Sequence, residues 1–92
     1  MKLLSFVVPC YNSESYMKNC IHSLLTGGRE VEIIIVDDGS TDGTADIADK
    51  YAEDYPELVK VVHQENGGHG EAVNTGLRHA SGLFFKVVDS DD

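Results

Sequence analysis

An open α/β fold built on a parallel sheet is the class this sequence predicts, and two observations predict it. Four short apolar runs recur along the chain, at 3–8 (LLSFVV), 31–36 (VEIIIV), 59–63 (VKVVH) and 83–88 (LFFKVV). Between them lie three stretches with helical periodicity, so the elements alternate as βαβαβαβ. Strands joined through helices lie parallel with right-handed crossovers, and short runs rich in β-branched and aromatic residues suit strands covered on both faces.

Each helix has its own pattern. Over 14–25, Tyr16, Met17, Cys20, Ile21, Leu24 and Leu25 form one apolar stripe, with Ser13 as N-cap and Gly27–Gly28 as the stop. Over 44–55, Ala48, Tyr51, Ala52 and Tyr55 recur at helical spacing, with Thr44 as cap and Pro56 as terminator. Over 71–80, Val73, Leu77 and Ala80 share a face, and Ser81–Gly82 ends the helix.

The 92 residues allow one small domain with a thin core, although 41% of them are apolar. A net charge of −9, from 16 acids against 7 Lys and Arg, argues against nucleic acid as a partner. Cys10 and Cys20 show neither zinc spacing nor a disulfide framework. No stretch approaches the ~20 apolar residues of a membrane span. The segment therefore reads as soluble and cytoplasmic, with membrane association of a longer protein left open.

In an open parallel sheet, ligands bind beyond the carboxyl ends of the strands. There the sequence places PCYNSE after the first strand, DDGSTD after the second, QENGGHGE after the third and DSDD after the fourth. Asp89 and Asp91 leave the same face of an extended segment, and two charges about 6 Å apart at an effective dielectric near 20 repel by about 3 kcal/mol. With Asp37 and Asp38 on a neighbouring tip, a hard divalent ion such as Mn²⁺ or Mg²⁺ would relieve the cluster. The alternative is a plain Asp-Gly turn at 37–39 and a solvated acidic tail.

VVPCYN, IIIVDDGSTDGT, NGGHGEAVNTGL and VVDSDD follow one another in the order seen in family 2 glycosyltransferases, and the chain resembles the N-terminal, nucleotide-sugar-binding half of that GT-A fold across nearly all its length. The resemblance implies an inverting, metal-dependent enzyme that moves a sugar from a nucleotide-diphosphate donor, with UDP favoured, to an acceptor glycan or lipid. It places Tyr11 against the base beside Pro9, with Asn12 and Glu14 shaping that wall. It makes Asp38 the acceptor for the base imide. Asp89, with Ser90 beside it in the Asp-X-Asp motif, would hold the ribose or the metal-linked phosphates. Asp91 would ligate the metal, with Asp92 behind it. Many relatives carry an Arg where this chain has Val73, so no cationic diphosphate contact is assigned to the third helix. The catalytic base and the acceptor half are expected beyond Asp92, and residues 1–92 are read as a truncated donor-binding part.

Other readings stand beside this one. A noncatalytic nucleotide-sugar-binding or interaction module would use the same residues without turnover. A receiver-like Mg²⁺-binding phosphoryl-transfer domain would want its acid pair after the first strand, where PCYN stands instead. GGHGEAV imitates a dinucleotide fingerprint but has Val73 at the third glycine position. His69 is the histidine expected to meet a ligand, whereas His22 and His79 read as surface residues and His63 shows no evident partner. Asp42 is expected to matter little to metal binding. Exposed strand edges predict self-association of the segment at high concentration.

Overall fold

In the computed structural model, residues 2–26, 28 and 30–90 are described. The elements are β1 (Leu4–Cys10), α1 (Met17–Leu25), β2 (Val31–Asp38), α2 (Thr44–Asp54), β3 (Val59–Gln64), α3 (His69–His79) and β4 (Phe84–Val87). All pairings are parallel and the strand order is β3-β2-β1-β4. The predicted alternation and open sheet are therefore present. The chain steps outward from β1 to β3, then returns to lay β4 on the other side of β1. That reversal opens a crevice between the ends of β1 and β4, where such sheets bind ligands.

Alternate residues of the central strands feed two separate layers. Val8, Cys10, Ile33 and Ile35 pack with Met17, Cys20 and Ile21 of α1 and with Ala48 and Tyr51 of α2. On the opposite face, Ile34 and Val36 pack with Ala72 of α3. Every residue of β2 is buried, as a strand covered on both faces requires.

The outer strands depart from that expectation. β3 exposes Lys60 and His63, and β4 leaves Phe84 and Phe85 at 65% and 60% exposure. Both are edge strands, with hydrogen-bonding neighbours on one side only. β1 runs two residues past its predicted end because Pro9 and Cys10 continue the pairing with Val36 and Asp37. Pro9 is tolerated in this central strand because the β4 ladder has already ended at Val7–Val87.

The helix starts shift for identifiable reasons. α1 begins at Met17, because the Ser13 carbonyl accepts from the N–H groups of Tyr16 and Met17 in a preceding turn. Ser13 is consequently not the N-cap, and Tyr16 leaves the apolar stripe with 56% exposure. Thr44 is the first residue of α2 rather than its cap, and its hydroxyl oxygen accepts from the Ser13 N–H at 2.7 Å. α3 starts two residues early and buries Ala72, Thr75 and Gly76 instead of the Val73–Leu77 face. Only small residues fit there, since a Cβ on Gly76 would collide with the Val7 side chain.

A buried carboxylate places β4. Glu32 on β2 is 1% exposed and accepts from the Ser5 hydroxyl at 2.7 Å and the Ser81 hydroxyl at 2.9 Å. The Ser81 N–H also donates to it, and Lys60 Nζ lies at 3.1 Å. Gly82 N–H then bonds the Ser5 oxygen at 2.8 Å, which fastens the α3–β4 connection to the sheet.

Candidate functional site

Two adjoining cavities of about 440 and 370 Å³ open at the carboxyl edge of the sheet. Pro9, Tyr11 and His69 line both, so they are two parts of one cleft. The larger reaches Asn12, Asp89 and Ser90, and the smaller reaches Asp38, Asn66 and Gly68. The strand topology has brought all four tips together around Tyr11, which is 52% exposed.

The wall carrying Tyr11 is fixed by cross-links between the first two tips. Asn12 adopts φ 48°, a left-handed conformation that Asn tolerates better than most residues. In that pose its Oδ1 accepts from Thr41 N–H at 2.8 Å, and its own N–H donates to Ser40 Oγ at 3.0 Å. Glu14 lines neither cavity; its Oε2 accepts from Gly43 N–H at 3.1 Å. Asp42, expected to matter little, accepts from Thr44 N–H at 2.9 Å and from Glu14 N–H at 3.3 Å. Burial acts to raise the Asp42 pKa, but the hydrogen bonds from Thr44 and Glu14 outweigh it and lower the value. Residues 12–14 and 40–44 thus form one brace behind the tyrosine.

The acid pair of the second tip splits between the two faces of the sheet. Asp38 is 3% exposed and faces the glycine-rich loop. It accepts from Gln64 Nε2 at 2.9 Å, Gly67 N–H at 2.8 Å and Gly68 N–H at 3.0 Å. Burial acts to raise its pKa, yet these donors together lower it. Gln64 in turn accepts from the Thr75 hydroxyl at 2.6 Å, which ties the loop to α3. Opposite, a Cβ on Gly39 would stand 2.6 Å from the Asn66 nitrogen, and Gly39 itself has φ +71°. The second and third tips meet backbone to backbone, and only glycine fits there.

Asp37 faces the other layer. It accepts from Ser40 N–H at 3.0 Å and pairs with His63 Nδ1 at 2.8 Å, while His63 Nε2 meets Asp49 Oδ1 at 2.7 Å. Two sequence expectations are corrected here. His63 has two carboxylate partners, and both acids of the second tip are satisfied by groups within the chain rather than left to await a cation. The strand register explains both, since it sets Asp37 beside His63 and Asp38 beside Gln64.

Bonds to Asp37 first, then to Asp49, raise the His63 pKa above its ordinary 6.5. A raised folded-state pKa contributes stability that is complete below the unfolded value and disappears as pH climbs through the folded one. Denaturation midpoints should therefore fall as pH rises above 6.5, modestly, because the ring is partly exposed. His63→Gln should flatten that slope. An unchanged pH profile in the variant would show that the bridge contributes nothing.

Among its described residues, the fourth tip is attached through the side chains of Ser90 and Asp89. Ser90 is buried, and its hydroxyl donates to Ser13 Oγ at 2.8 Å. Asp89 is half-exposed, with its Oδ1 3.0 Å from His69 Nε2. Cys10, beneath Tyr11, is pushed up to about 12 by burial against a lowering contribution from Ser90. It stays a neutral thiol and is no nucleophile. Neither cysteine is in a disulfide.

Among the described residues, no group of three or more His, Cys, Asp or Glu is placed to hold a metal ion. Asp91, which with Asp89 carries the metal assignment, and Asp92 behind it lie outside the described residues. Among the described residues of this tip, Asp89 offers a solvent-facing carboxylate, which suits a hard cation. Gln64, Asn66 and Asp49 were not picked out in the sequence, because no local pattern marks residues that matter through register and loop apposition.

Tyr11, Asp38, His69 and Asp89 therefore line one cleft, and comparison with known proteins places the chain among its relatives. Glycosyltransferase GlyG of Streptococcus pneumoniae serotype 4 is 44% identical over 93 residues, covering 99% of this chain and 31% of that protein. The structure of S. aureus TarS 1–349 in complex with UDP superposes with a TM-score of 0.85 at 41% identity, over 99% of this chain and 28% of that one. Mannosyltransferase PcManGT from Pyrobaculum calidifontis, in complex with GDP-Man and Mn²⁺, gives 0.86 at 30% identity, over 96% and 27%. The chain thus spans roughly a quarter to a third of the proteins it matches. No helix among the described residues is long and apolar enough to cross a membrane. The model of Glycosyl transferase family 2 matches residues 5–92, and the chain belongs to that family.

Proposed function

We propose that these residues bind the nucleotide-diphosphate sugar, with UDP as nucleotide, of an inverting, metal-dependent glycosyltransferase that transfers a hexosyl group to an acceptor hydroxyl. The observation that carries the reading is the cleft at the β1/β4 reversal, with an exposed Tyr11 ring on one wall and the Asp89 carboxylate on another. An exposed aromatic side chain lining the cleft suits a nucleobase, worth roughly 1–3 kcal/mol per stacked base. The UDP bound by TarS and the GDP-Man and Mn²⁺ bound by PcManGT support the ligand class.

In this reading Pro9 and Tyr11 hold the base, Asp38 with its loop reads the base edge, and Asp89 meets the ribose or the phosphates. Asn12, Glu14 and Ser90 act behind them, since their polar atoms brace the tips on which those residues sit. A divalent cation held by Asp91 and Asp89 would supply positive charge to the departing diphosphate. The acceptor oxygen forms a bond to the anomeric carbon as the bond to the diphosphate oxygen breaks, so the configuration inverts. The acceptor proton passes to a carboxylate outside these residues, and the acceptor is a glycan or a lipid.

Calorimetric titration with UDP and Mn²⁺ tests the assignment. Asp91→Asn should weaken Mn²⁺-dependent UDP binding at least about tenfold, or about 1.4 kcal/mol. Asp54→Asn removes an exposed carboxylate paired with Lys50 on α2 and should change little. Equal losses in the two variants, or no Mn²⁺-dependent binding by the unaltered chain, would overturn it.

A further inference from the structure

We propose that His69 is a positioning residue for the donor diphosphate, holding the Asp89 carboxylate in its ligand-ready orientation. The proposal rests on the donor-site reading above and adds a residue to it.

His69 is the first residue of α3, directly after Gly68, whose φ of +94° turns the chain into the helix. From there its ring lines both parts of the cleft. Its Nε2 stands 3.0 Å from Asp89 Oδ1, which joins the third tip to the fourth. The same loop is anchored from behind by Asp38, through the Gly67 and Gly68 N–H groups. The imidazole therefore extends from a fixed base rather than from a free loop.

Neither Lys nor Arg lines the cleft among the described residues, and Val73 offers no polar atom. With Asp89 serving the metal-linked phosphates rather than the ribose, diphosphate recognition at this wall goes through a cation and depends on how well that carboxylate is aimed. A bond to Oδ1 restricts the carboxylate rotamers and leaves Oδ2 for the ligand. Ordering that side chain before the ligand arrives removes part of the entropy cost of binding. Both side chains are more than half exposed, at 65% and 54%, so the bond adds little to folding. Its loss should consequently register in ligand binding and not in stability.

The 92-residue chain is titrated with UDP in the presence of Mn²⁺, and separately with uridine without metal. His69→Ala should weaken Mn²⁺-dependent UDP binding about three- to tenfold, the size expected for leaving one side chain unordered. His69→Gln should recover most of the loss, because its amide N–H₂ reaches about as far as the imidazole Nε2. Uridine affinity and the melting temperature should not move in either variant. UDP binding by His69→Ala that is unchanged or tighter would overturn the role of His69 alone, as would a matching loss of uridine binding. Absence of Mn²⁺-dependent UDP binding in the unaltered chain would overturn the donor-site reading, and the role of His69 with it.

Discussion

Asp38→Ala should abolish any preference for UDP over CDP and loosen the glycine-rich loop together. The carboxylate takes three hydrogen bonds, two of them from the consecutive N–H groups of Gly67 and Gly68. These bonds are part-buried and the two glycines exposed, so water can replace the lost acceptor and the loop should open to solvent rather than hold its present path. Recognition of the base should fail for the same reason, because uracil carries a ring N–H at the position where cytosine carries an acceptor. Hydrogen exchange at Gly67 and Gly68 should accelerate in the variant, and competition titrations should give equal affinities for the two nucleotides. Asp38→Asn should fall between, since an amide can accept at one atom but presents a donor to a donor at the other. An Asp38→Ala variant that still favours UDP would show that the base is read elsewhere. Unchanged exchange at the two glycines would show that their amides have other partners.

Glu32→Ala should produce the largest loss of stability, about 3–5 kcal/mol, the range for removing one partner of a buried charged network. That is a substantial part of the about 5–15 kcal/mol by which small domains are stable. The substitution strands the Ser5 hydroxyl and the Ser81 N–H and hydroxyl, while the exposed Lys60 ammonium group returns to water. Burial acts to raise the Glu32 pKa, but bonds from Ser81, Ser5 and Lys60 lower it from 4.5 to about 2. A depressed pKa means stability that is complete above the unfolded value and is lost as pH falls from 4.5 toward about 2. A shift of that size is on the order of 3 kcal/mol. Urea denaturation at neutral pH and an acid titration would measure both. A variant as stable as the parent, with the same acid unfolding, would show that the network is not needed to hold β4. Because β4 ends at the Asp89 tip, a loosened strand should also weaken Mn²⁺-dependent UDP binding.

Much of the fold was legible because it depends on local periodicity. VEIIIV cannot be amphipathic at any period and has to be covered on both faces, as β2 is. The alternation of runs and stripes fixed the parallel connection, and connection type placed the loops that follow the strands at one edge. LFFKVV has the same composition, yet β4 is largely exposed. Apolar content says that a segment can be buried, whereas strand order decides whether anything covers it. α3 shows a similar limit: Val73 and Leu77 fit a helical stripe, but the close approach through Gly76 gave the buried face to Ala72 and Thr75.

For the site, the sequence by itself determined which residue types stand at the strand ends, and hence that Tyr11, Asp38, His69 and Asp89 would share an edge. Only the tertiary structure decided what each one does there. Asp37 and Asp38 are neighbours in the chain, but successive side chains of a strand point to opposite faces. One carboxylate therefore bridges to His63 in the α2 layer, and the other organises the glycine-rich loop beside the cleft. That division depends on the β2–β3 register, which sets Asp37 against His63 and Asp38 against Gln64 across 26 positions of sequence. Pairing over such a separation is set by the packing of both faces at once, and no local stretch of residues encodes it.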